Sequence, residues 1–440
     1  MKYLSIIYYD SFARFFHSIE EETKKIDPNA EFLHLSIFPS AWLYMLARRK
    51  KTVLLPLRIF LRRNSGGKSE HDDVLEKIAK YHITTGEERG SIYIEKTKLR
   101  AEKYLHLMQE IISNYNPDAV IFSGDTRIAC EALQHHLTSI NFTGKRYYFE
   151  QGPNSTTILD NTGVNANCSF RFKTAELTGY GFEPEATVRN KRYKRNPIYR
   201  GLDYLIVSAL KLINKVPPEW DKLSFKKITE NEYKECTKKP YADANSKKPE
   251  ILVALQVPDD ANNIHHNPNN ITDELLFQWV VSASKTLGMP IKFREHPLYR
   301  RKYTPGFYQK VKTTEHTYIS SASLDDDLAN AAVVITVNSM TGLDAYLKQI
   351  PVIVLGNSFY DHLPGIIHTK TREQFESHLI DIPKQGNQII KKQNPQKIFA
   401  EMKSKFFING HFLDENLSSH KDIAKIITNS KSSQSRTDEH

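Results

Sequence analysis

The chain has 440 residues, of which 40% are hydrophobic and 25% are charged. This composition excludes a wholly disordered chain, a collagen and a coiled-coil rod, and the length allows two domains that each bury a core. The formal net charge of +10 favours an anionic partner, whether nucleic acid, an acidic lipid surface or a phosphorylated substrate.

The three cysteines, Cys130, Cys168 and Cys236, are sparse and have no CxxC spacing. They argue against a disulfide framework and a structural zinc site, and they fit a reducing compartment. The N-terminus turns polar too early for a signal peptide, and no run approaches the roughly 18 apolar residues that a membrane span needs. We therefore expect a soluble or peripheral protein in the cytoplasm.

The first part of the chain alternates apolar strand patterns with helical patterns. Strands are predicted at 3–9, 31–38, 119–124 and 146–152, helices at 11–25, 91–113 and 126–137, and a loop at 64–71. This alternation predicts a parallel α/β sheet. The segment 41–63 is both apolar and strongly basic, so it either lies on an anionic bilayer or forms a core helix and strand with solvated charges.

A second α/β block follows a basic region that contains one predicted helix at 201–215. The block has predicted strands at 250–257, 290–297, 333–337 and 351–356, and predicted helices at 274–288, 395–404 and 419–428. We predict an N-terminal α/β domain at 1–182, an inter-domain region at 183–248, a C-terminal α/β domain at 249–428 and a frayed tail at 429–440. Two such Rossmann-like domains facing a central cleft are the outline of a GT-B glycosyltransferase.

The segment after the strand at 333–337 has the composition of an anion site. Asn338, Ser339, Thr341 and Gly342 are small or polar residues at the start of a predicted helix. Backbone N–H groups, two hydroxyls and the positive end of the helix dipole then point at one place, and Asp344 can reach ribose hydroxyls. The alternative is that Ser339 only caps the helix.

The sequence KFREHP at 292–297 ends a strand with a histidine. Lys292 and Arg294 share one face of that strand, and Pro297 fixes the exit after His296. Such a histidine can donate to a phosphate oxygen or protonate a leaving group, and the two cations can assist it. The alternative is a buried structural histidine.

Two carboxylates, Glu150 and Asp160, lie in the polar stretch 149–170. They suit nucleophile and acid/base roles in glycosyl transfer, with Gln151 and Asn165 as further substrate contacts. Alternatively, Glu150 caps a turn and Asp160 forms an Asx turn.

The segment 255–267 offers Gln256 and Asp259 for sugar or base contacts. The neighbouring His265 and His266 raise the idea of a metal, but their spacing fits no strong metal motif.

Together, FEQGPNSTTILDNTGVN, the LQV-x-DD segment, EHP and VNSMTGLDAYLKQIPVIVLGNSFYD, all within 118–361, resemble the capsule polysaccharide biosynthesis family. This family includes the Kdo transferases of Gram-negative capsule assembly, and the likeness is closest to its lipid-priming and related small members. The resemblance implies a GT-B fold and a CMP-activated ulosonic acid donor. It also implies that His296 with Pro297 and Ser339 with Thr341 hold the CMP phosphate, and that the catalytic carboxylates are Glu150 and Asp160.

The function expected from the residues and the resemblance is transfer of Kdo from CMP-Kdo to an anionic lipid-linked acceptor with retention. The enzyme would need no metal or other cofactor. It would work at the cytoplasmic face of the inner membrane, beside other capsule assembly proteins. One alternative is a same-fold capsule transferase that adds another nucleotide-activated unit, a sugar or glycerol phosphate, to the Kdo linker. A non-enzymatic nucleic-acid-binding protein is a remote alternative, because the basic clusters match no DNA- or RNA-binding motif.

Overall fold

The computed structural model describes residues 1–62, 71–184, 190–213, 215–220, 227–239, 249–385 and 393–429. The chain forms two compact units, each assembled from separate stretches of sequence. Unit 1 comprises Met1–Val164, Ala186–Leu223 and Phe406–His440, and unit 2 comprises Asn165–Glu185 and Ser224–Lys405.

Unit 1 is built on a seven-stranded sheet. Its strands are β1 (Lys2–Ile7), β2 (Glu31–Ser36), β3 (Thr52–Leu54), β4 (Ala119–Ser123), β5 (Lys145–Gln151), β6 (Thr156–Asp160) and β13 (Phe407–Asn409). They lie in the order β13-β6-β5-β4-β1-β2-β3, in which β1 to β5 are parallel and β6 and β13 are antiparallel additions. The central strands β1 and β4 are buried along almost their whole length because both faces of the sheet are covered.

Eight helices of unit 1 lie within the described residues. They are α1 (Asp10–Ile26), α2 (Pro39–Leu46), α3 (Leu55–Leu61), α4 (Asp72–Thr85), α5 (Ser91–Tyr115), α6 (Ile128–Ser139), α7 (Pro197–Leu212) and α16 (Ser419–Asn429). One hydrophobic core contains Leu75, Tyr104 and Leu133 from α4, α5 and α6. A second core contains Phe15 of α1 and Ile423 of α16.

Unit 2 is built on a six-stranded sheet that is parallel throughout. Its strands are β7 (Glu250–Ala254), β8 (Ile291–Arg294), β9 (Thr317–Ile319), β10 (Ala331–Thr336), β11 (Val352–Val354) and β12 (Ile367–His368). Their spatial order is β12-β11-β10-β7-β8-β9. Counted within the unit, this is the 3-2-1-4-5-6 order of a Rossmann fold, read from the opposite edge.

The helices of unit 2 begin at polar capping residues. The described helices are α8 (Glu230–Cys236), α9 (Ala261–His266), α10 (Asp273–Ser284), α11 (Pro305–Thr313), α12 (Leu324–Asn330), α13 (Met340–Leu347), α14 (Arg372–Gln385) and α15 (Pro395–Phe406). Each helix from α8 to α13 starts after a Thr, Ser or Asp whose side-chain oxygen accepts a hydrogen bond from the first helical turn.

The predicted fold class is confirmed, since both units are α/β and each contains a Rossmann-like parallel sheet. The predicted domain boundaries are wrong in three places. Residues 165–182 belong to unit 2, the region 183–248 is shared between the units, and the C-terminal helix belongs to unit 1. The chain returns to unit 1 because β13 pairs with β6 and α16 packs against α1. The loop predicted at 64–71 and the tail at 429–440 lie almost wholly outside the described residues.

The basic, apolar segment at 41–63 forms α2, β3 and α3 of unit 1. Ala41, Met45, Leu55 and Ile59 are buried, and Lys50 forms ion pairs with acidic residues of α1. The alternative of a core helix and strand is therefore the correct one for most of this segment. Among the described residues, no helix combines the length and the apolar character needed to cross a bilayer.

Candidate active site

The predicted nucleotide motifs of unit 2 follow neighbouring strands of one sheet. In sheets of this order, ligands bind outside the carboxyl ends of the strands, at the point where the strand order reverses. In unit 2 that point lies between β7 and β10, which end level with each other because Ala254 pairs with Thr336. The segments 255–267 and 337–342 leave these strands there, and His296 follows β8 on the other side of β7.

Ser339 is the N-cap of α13. Its hydroxyl oxygen accepts a hydrogen bond from the Thr341 N–H at 3.3 Å, and the two hydroxyl oxygens are 3.4 Å apart. The capping role is confirmed. Both hydroxyls also lie at the positive end of the helix dipole, which is the arrangement that an anion site requires.

Gln256 and Asn338 bind each other across the point where the strand order reverses. The Asn338 N–H donates to Gln256 Oε1 at 3.0 Å, and the Gln256 amide donates in turn to Asn338 Oδ1. The Asn338 side chain also donates to the backbone oxygens of Asn262 and His266. These contacts fix the two loops to each other, so the structure gives Gln256 and Asn338 a positioning role.

Gly342 is a glycine because its surroundings leave no room for a side chain. A Cβ atom there would lie 2.6 Å from the Tyr360 hydroxyl and 3.2 Å from Thr336 Cγ2. The Tyr360 hydroxyl donates to the Ser339 backbone oxygen, which holds the loop after β11 against the start of α13. Asp344 is half-buried further along α13, and its ribose contact stays a prediction.

His296 is a half-buried cap whose second nitrogen can act as a donor. Its Nδ1 accepts a hydrogen bond from the Leu298 N–H at 3.3 Å. Burial lowers the pKa of His296, against the opposing effect of the Asp260 carboxylate, so the ring is neutral near pH 7. A neutral ring that accepts at Nδ1 carries its proton on Nε2, where it can donate to a phosphate oxygen.

Glu295, which the sequence analysis missed, anchors the exit of β8. This buried carboxylate accepts hydrogen bonds from the Tyr233 hydroxyl at 2.7 Å, the Tyr308 hydroxyl and the Arg301 N–H at 2.9 Å. The backbone on either side of His296 is thereby held in place. The sequence feature that could have pointed to Glu295 is its position between a strand and His296. The three groups that donate hydrogen bonds to it, however, come from other segments.

Lys292 and Arg294 neutralise acidic residues of their own unit. Lys292 is buried and forms ion pairs with Glu250 and, at 3.3 Å, with Asp327. Arg294 forms an ion pair with the same Asp327 at 2.5 Å. The expectation that these cations serve a phosphate is not supported, because Glu250 of β7 and Asp327 of α12 already balance both charges. We do not include them among the proposed phosphate ligands.

The described residues contain one group of side chains spaced to hold a metal, and it is not at His265 and His266. Asp361, His362 and His368 have ligand atoms within 4.8 Å of one another. However, Arg171 forms a two-pronged ion pair with the Asp361 carboxylate, with the shortest distance 2.6 Å. A guanidinium in that position repels a metal ion, so the group fits a structural ion pair better.

The two predicted catalytic carboxylates belong to a β-hairpin of unit 1. The strand β6 pairs antiparallel with β5, matching Tyr148 with Asp160 and Glu150 with Ile158. These four residues share one face of the sheet, which makes Glu150 and Asp160 diagonal neighbours about 7–8 Å apart at their Cα atoms.

Asp160 is buried, and Glu150 is half-buried next to the exposed Gln151 at the end of β5. The Asp160 Oδ1 accepts hydrogen bonds from the Thr162 N–H and hydroxyl, each at 2.8 Å, and from the Gly163 N–H at 3.3 Å. The Asx-turn alternative for Asp160 is therefore confirmed as a structural role. Its catalytic role stays a prediction.

A second pair of carboxyl groups, those of Asp125 and Glu131, follows β4, and the sequence analysis missed both. Asp125 is buried and accepts a hydrogen bond from the Val164 N–H at 2.9 Å, so the chain after Asp160 returns to the carboxyl end of β4. Burial raises the pKa of Glu131 to about 7, and the Asp125 charge acts in the same direction. The sequence feature that could have pointed to Asp125 is its position directly after a buried strand and Gly124.

A family model described as capsule polysaccharide biosynthesis protein matches residues 164–412, which is more than half of the chain. The chain belongs to the capsule polysaccharide biosynthesis family. The match includes all of unit 2, and with it His296, Ser339 and Asn165, the half-buried residue that opens the unit. It leaves out Glu150 and Asp160, so the family match does not bear on these two carboxylates.

Solved structures resemble this family member only remotely. The KpsC beta Kdo 2,7 transferase of Thermosulfurimonas dismutans is 16% identical, with 74% of this chain and 89% of that chain covered and a TM-score of 0.38. The UDP-GlcNAc 2-epimerase of Methanocaldococcus jannaschii is 12% identical, with 98% and 100% covered and a TM-score of 0.36. A comparison with curated proteins finds no match. The site assignment rests on the family match and on the geometry of each unit.

Proposed function

We propose that this family member is a glycosyltransferase that transfers Kdo from CMP-Kdo to an anionic lipid-linked acceptor with retention of configuration. Membership of the capsule polysaccharide biosynthesis family supports a role in surface-glycan assembly. The observation that carries the proposal is the arrangement of His296 and Ser339, which follow the two strands that flank β7. These strands are two spacings, about 10 Å, apart, so a phosphate group outside the end of β7 lies between the two side chains and within reach of both.

In this proposal the donor phosphate binds at the N-terminus of α13. Ser339 and Thr341 contribute hydroxyl donors, the helix contributes its positive end, and His296 donates from Nε2. These groups stabilise the negative charge that builds up on the phosphate as the glycosidic bond breaks. Removing one such donor typically costs about 3 kcal/mol in the transition state.

The chemical step is a double displacement. A carboxylate attacks the anomeric carbon, the bond to the phosphate oxygen breaks, and CMP leaves. The acceptor hydroxyl then gives its proton to the second group, an ionised carboxylate, and its oxygen bonds to the anomeric carbon as the bond to the first carboxylate breaks. Loss of that proton to solvent regenerates the enzyme. We assign these two roles to Asp160 and Glu150, and substitution of each tests which one forms the covalent intermediate.

Protection from thermal unfolding by nucleotides tests the donor. A ligand that binds the folded protein raises its unfolding temperature by mass action. We expect CMP to protect the protein, whereas protection by UDP instead of CMP would favour the alternative capsule transferase with another donor. Protection by polynucleotide alone would support the nucleic-acid-binding alternative.

Substitutions of the phosphate site have a matched control in the same unit. Ser339→Ala and Ser323→Ala each remove a helix N-cap, with a similar loss of stability of about 1 kcal/mol. Only Ser339→Ala should abolish CMP protection. His296→Ala should also abolish it, while His378→Ala, an exposed histidine of α14, should not. Normal transfer by purified His296→Ala enzyme would contradict the assignment.

A further inference from the structure

The helix α7 of unit 1 presents apolar side chains outward. Ile198, Leu205 and Leu212 are spaced seven residues apart, so they form one line along the helix. Their exposed fractions are 78%, 66% and 88%, and Tyr204 beside them is 72% exposed. A stripe of this kind normally faces a core, yet no described part of the chain covers it.

The exposed charges of α7 are all positive. Its one acidic residue, Asp203, is buried, where it forms an ion pair with Arg195 at 2.8 Å and accepts a hydrogen bond from the Ser40 N–H. The exposed charged residues are Arg200 and Lys211. The buried contacts hold the opposite side of the helix against unit 1, so the apolar stripe stays on the outside.

The helix α3 extends this surface. Phe60 and Leu61 are 54% and 67% exposed, and α3 contains no acidic residue. Lys215, just beyond α7, lies over the Phe60 ring with its Nζ 5.7 Å from the ring centroid. We define the α3–α7 surface as the exposed sides of these two helices.

We propose that the α3–α7 surface docks on an anionic lipid bilayer. The helix α7 has 16 residues and is therefore about 24 Å long, enough to lie in the plane of the membrane interface. Its apolar stripe would enter the boundary between headgroups and acyl chains. Arg200 and Lys215 would meet lipid phosphates, and Tyr204 suits the interface because its ring is apolar and its hydroxyl polar.

The charges favour a membrane over a second copy of the chain. In a two-fold dimer through this surface, each cation would face cations of the partner, and neither α3 nor α7 has an exposed acidic residue to compensate. An anionic bilayer supplies the complementary charge. The inference does not depend on the proposed donor, and it would bring the enzyme to the leaflet in which a lipid-linked acceptor resides.

Vesicle flotation with the full-length protein tests the surface. The vesicles are phosphatidylcholine alone or phosphatidylcholine mixed with phosphatidylglycerol. We expect binding to the mixed vesicles, and we expect the double variant Leu205→Glu, Leu212→Glu to bind them about tenfold more weakly or less. The control Ile92→Glu changes an isoleucine of α5 that is 71% exposed, and it should bind like the wild type.

Two results would overturn the inference. One is unchanged binding of the double variant to the mixed vesicles. The other is a wild-type dimer, seen by sedimentation velocity without lipid, that the double variant converts to monomers, since the surface would then join two copies. Protection by CMP is measured on the same variants. It should be unchanged, so failure of the docking surface and failure of the proposed donor can be told apart.

Discussion

Glu131 offers the sharpest physical test of the site in unit 1. Its carboxyl group titrates at 4.5 in the unfolded chain, whereas burial raises its pKa to about 7 in the folded protein. Between these two values the folded state holds a proton that the unfolded state has lost. Stability therefore falls as the pH rises through this interval. Across this interval the free energy of unfolding falls by about 3 kcal/mol, because each pKa unit corresponds to about 1.36 kcal/mol.

The substitution Glu131→Gln removes the titrating group while keeping the shape of the side chain. The variant should lose this part of the pH dependence, so that its stability relative to the wild type rises by about 3 kcal/mol between pH 4 and pH 8. Urea unfolding of both proteins across this range measures the difference. Glu88→Gln, which removes an exposed carboxylate of the same unit, is the control and should leave the pH dependence unchanged.

Equal pH dependence in the wild type and in Glu131→Gln would refute the reasoning, because the carboxyl group would then be as well solvated in the folded state as in the unfolded one. A positive result would show that unit 1 holds a carboxyl group that titrates near neutral pH in the first turn of α6, the helix that follows β4. Such a group can give and take protons under physiological conditions.

Three further substitutions test other contacts. Gly342→Ala places a Cβ atom 2.6 Å from the Tyr360 hydroxyl, so the protection by CMP should fall. Adding Tyr360→Phe should restore part of this protection, and unchanged protection in the single variant would contradict the packing argument. Lys292→Met leaves buried acidic partners, including Glu250, without their cation, and urea unfolding should show a loss of about 3–5 kcal/mol. Asp160→Asn keeps an oxygen that can accept the hydrogen bonds of its turn, so the free energy of unfolding should change by less than about 1 kcal/mol. Glycosyl transfer should nevertheless be lost, and normal transfer by this variant would exclude a catalytic role for Asp160.

Four of the six strands of unit 2, and helix starts such as the one at Ser339, could be predicted from local sequence. Apolar runs such as those ending at Ala254 and Thr336 form buried strands wherever both faces of a parallel sheet are covered. Hydroxyl-bearing residues such as Ser339 cap helices through contacts only two or three residues away. The segments predicted to bind the nucleotide therefore lie where the sequence analysis expected them, at the carboxyl ends of strands.

The partners of charged and polar side chains could not be predicted, because they are distant in sequence. Lys292 was expected to face a phosphate, but Glu250 of the neighbouring strand β7 and Asp327 of α12 neutralise it. Gln256 was expected to contact substrate, but its amide is bound to Asn338, 82 residues away. Which donor meets which acceptor depends on the order of the strands in the sheet, and no local sequence pattern determines that order.

The sequence by itself determined the α/β class, the two sheets and the family, because hydrophobic periodicity and short motifs are properties of adjacent residues. Only the tertiary structure decided which stretches form each unit. The last strand, β13, pairs with β6 more than 240 residues earlier, and that pairing returns the C-terminus to unit 1. The tertiary structure was also needed to distinguish apolar helices that face a core from those that face outward. The core helix α6 and the outward-facing α7 both contain several apolar residues, and what distinguishes them is whether another described element covers their apolar side.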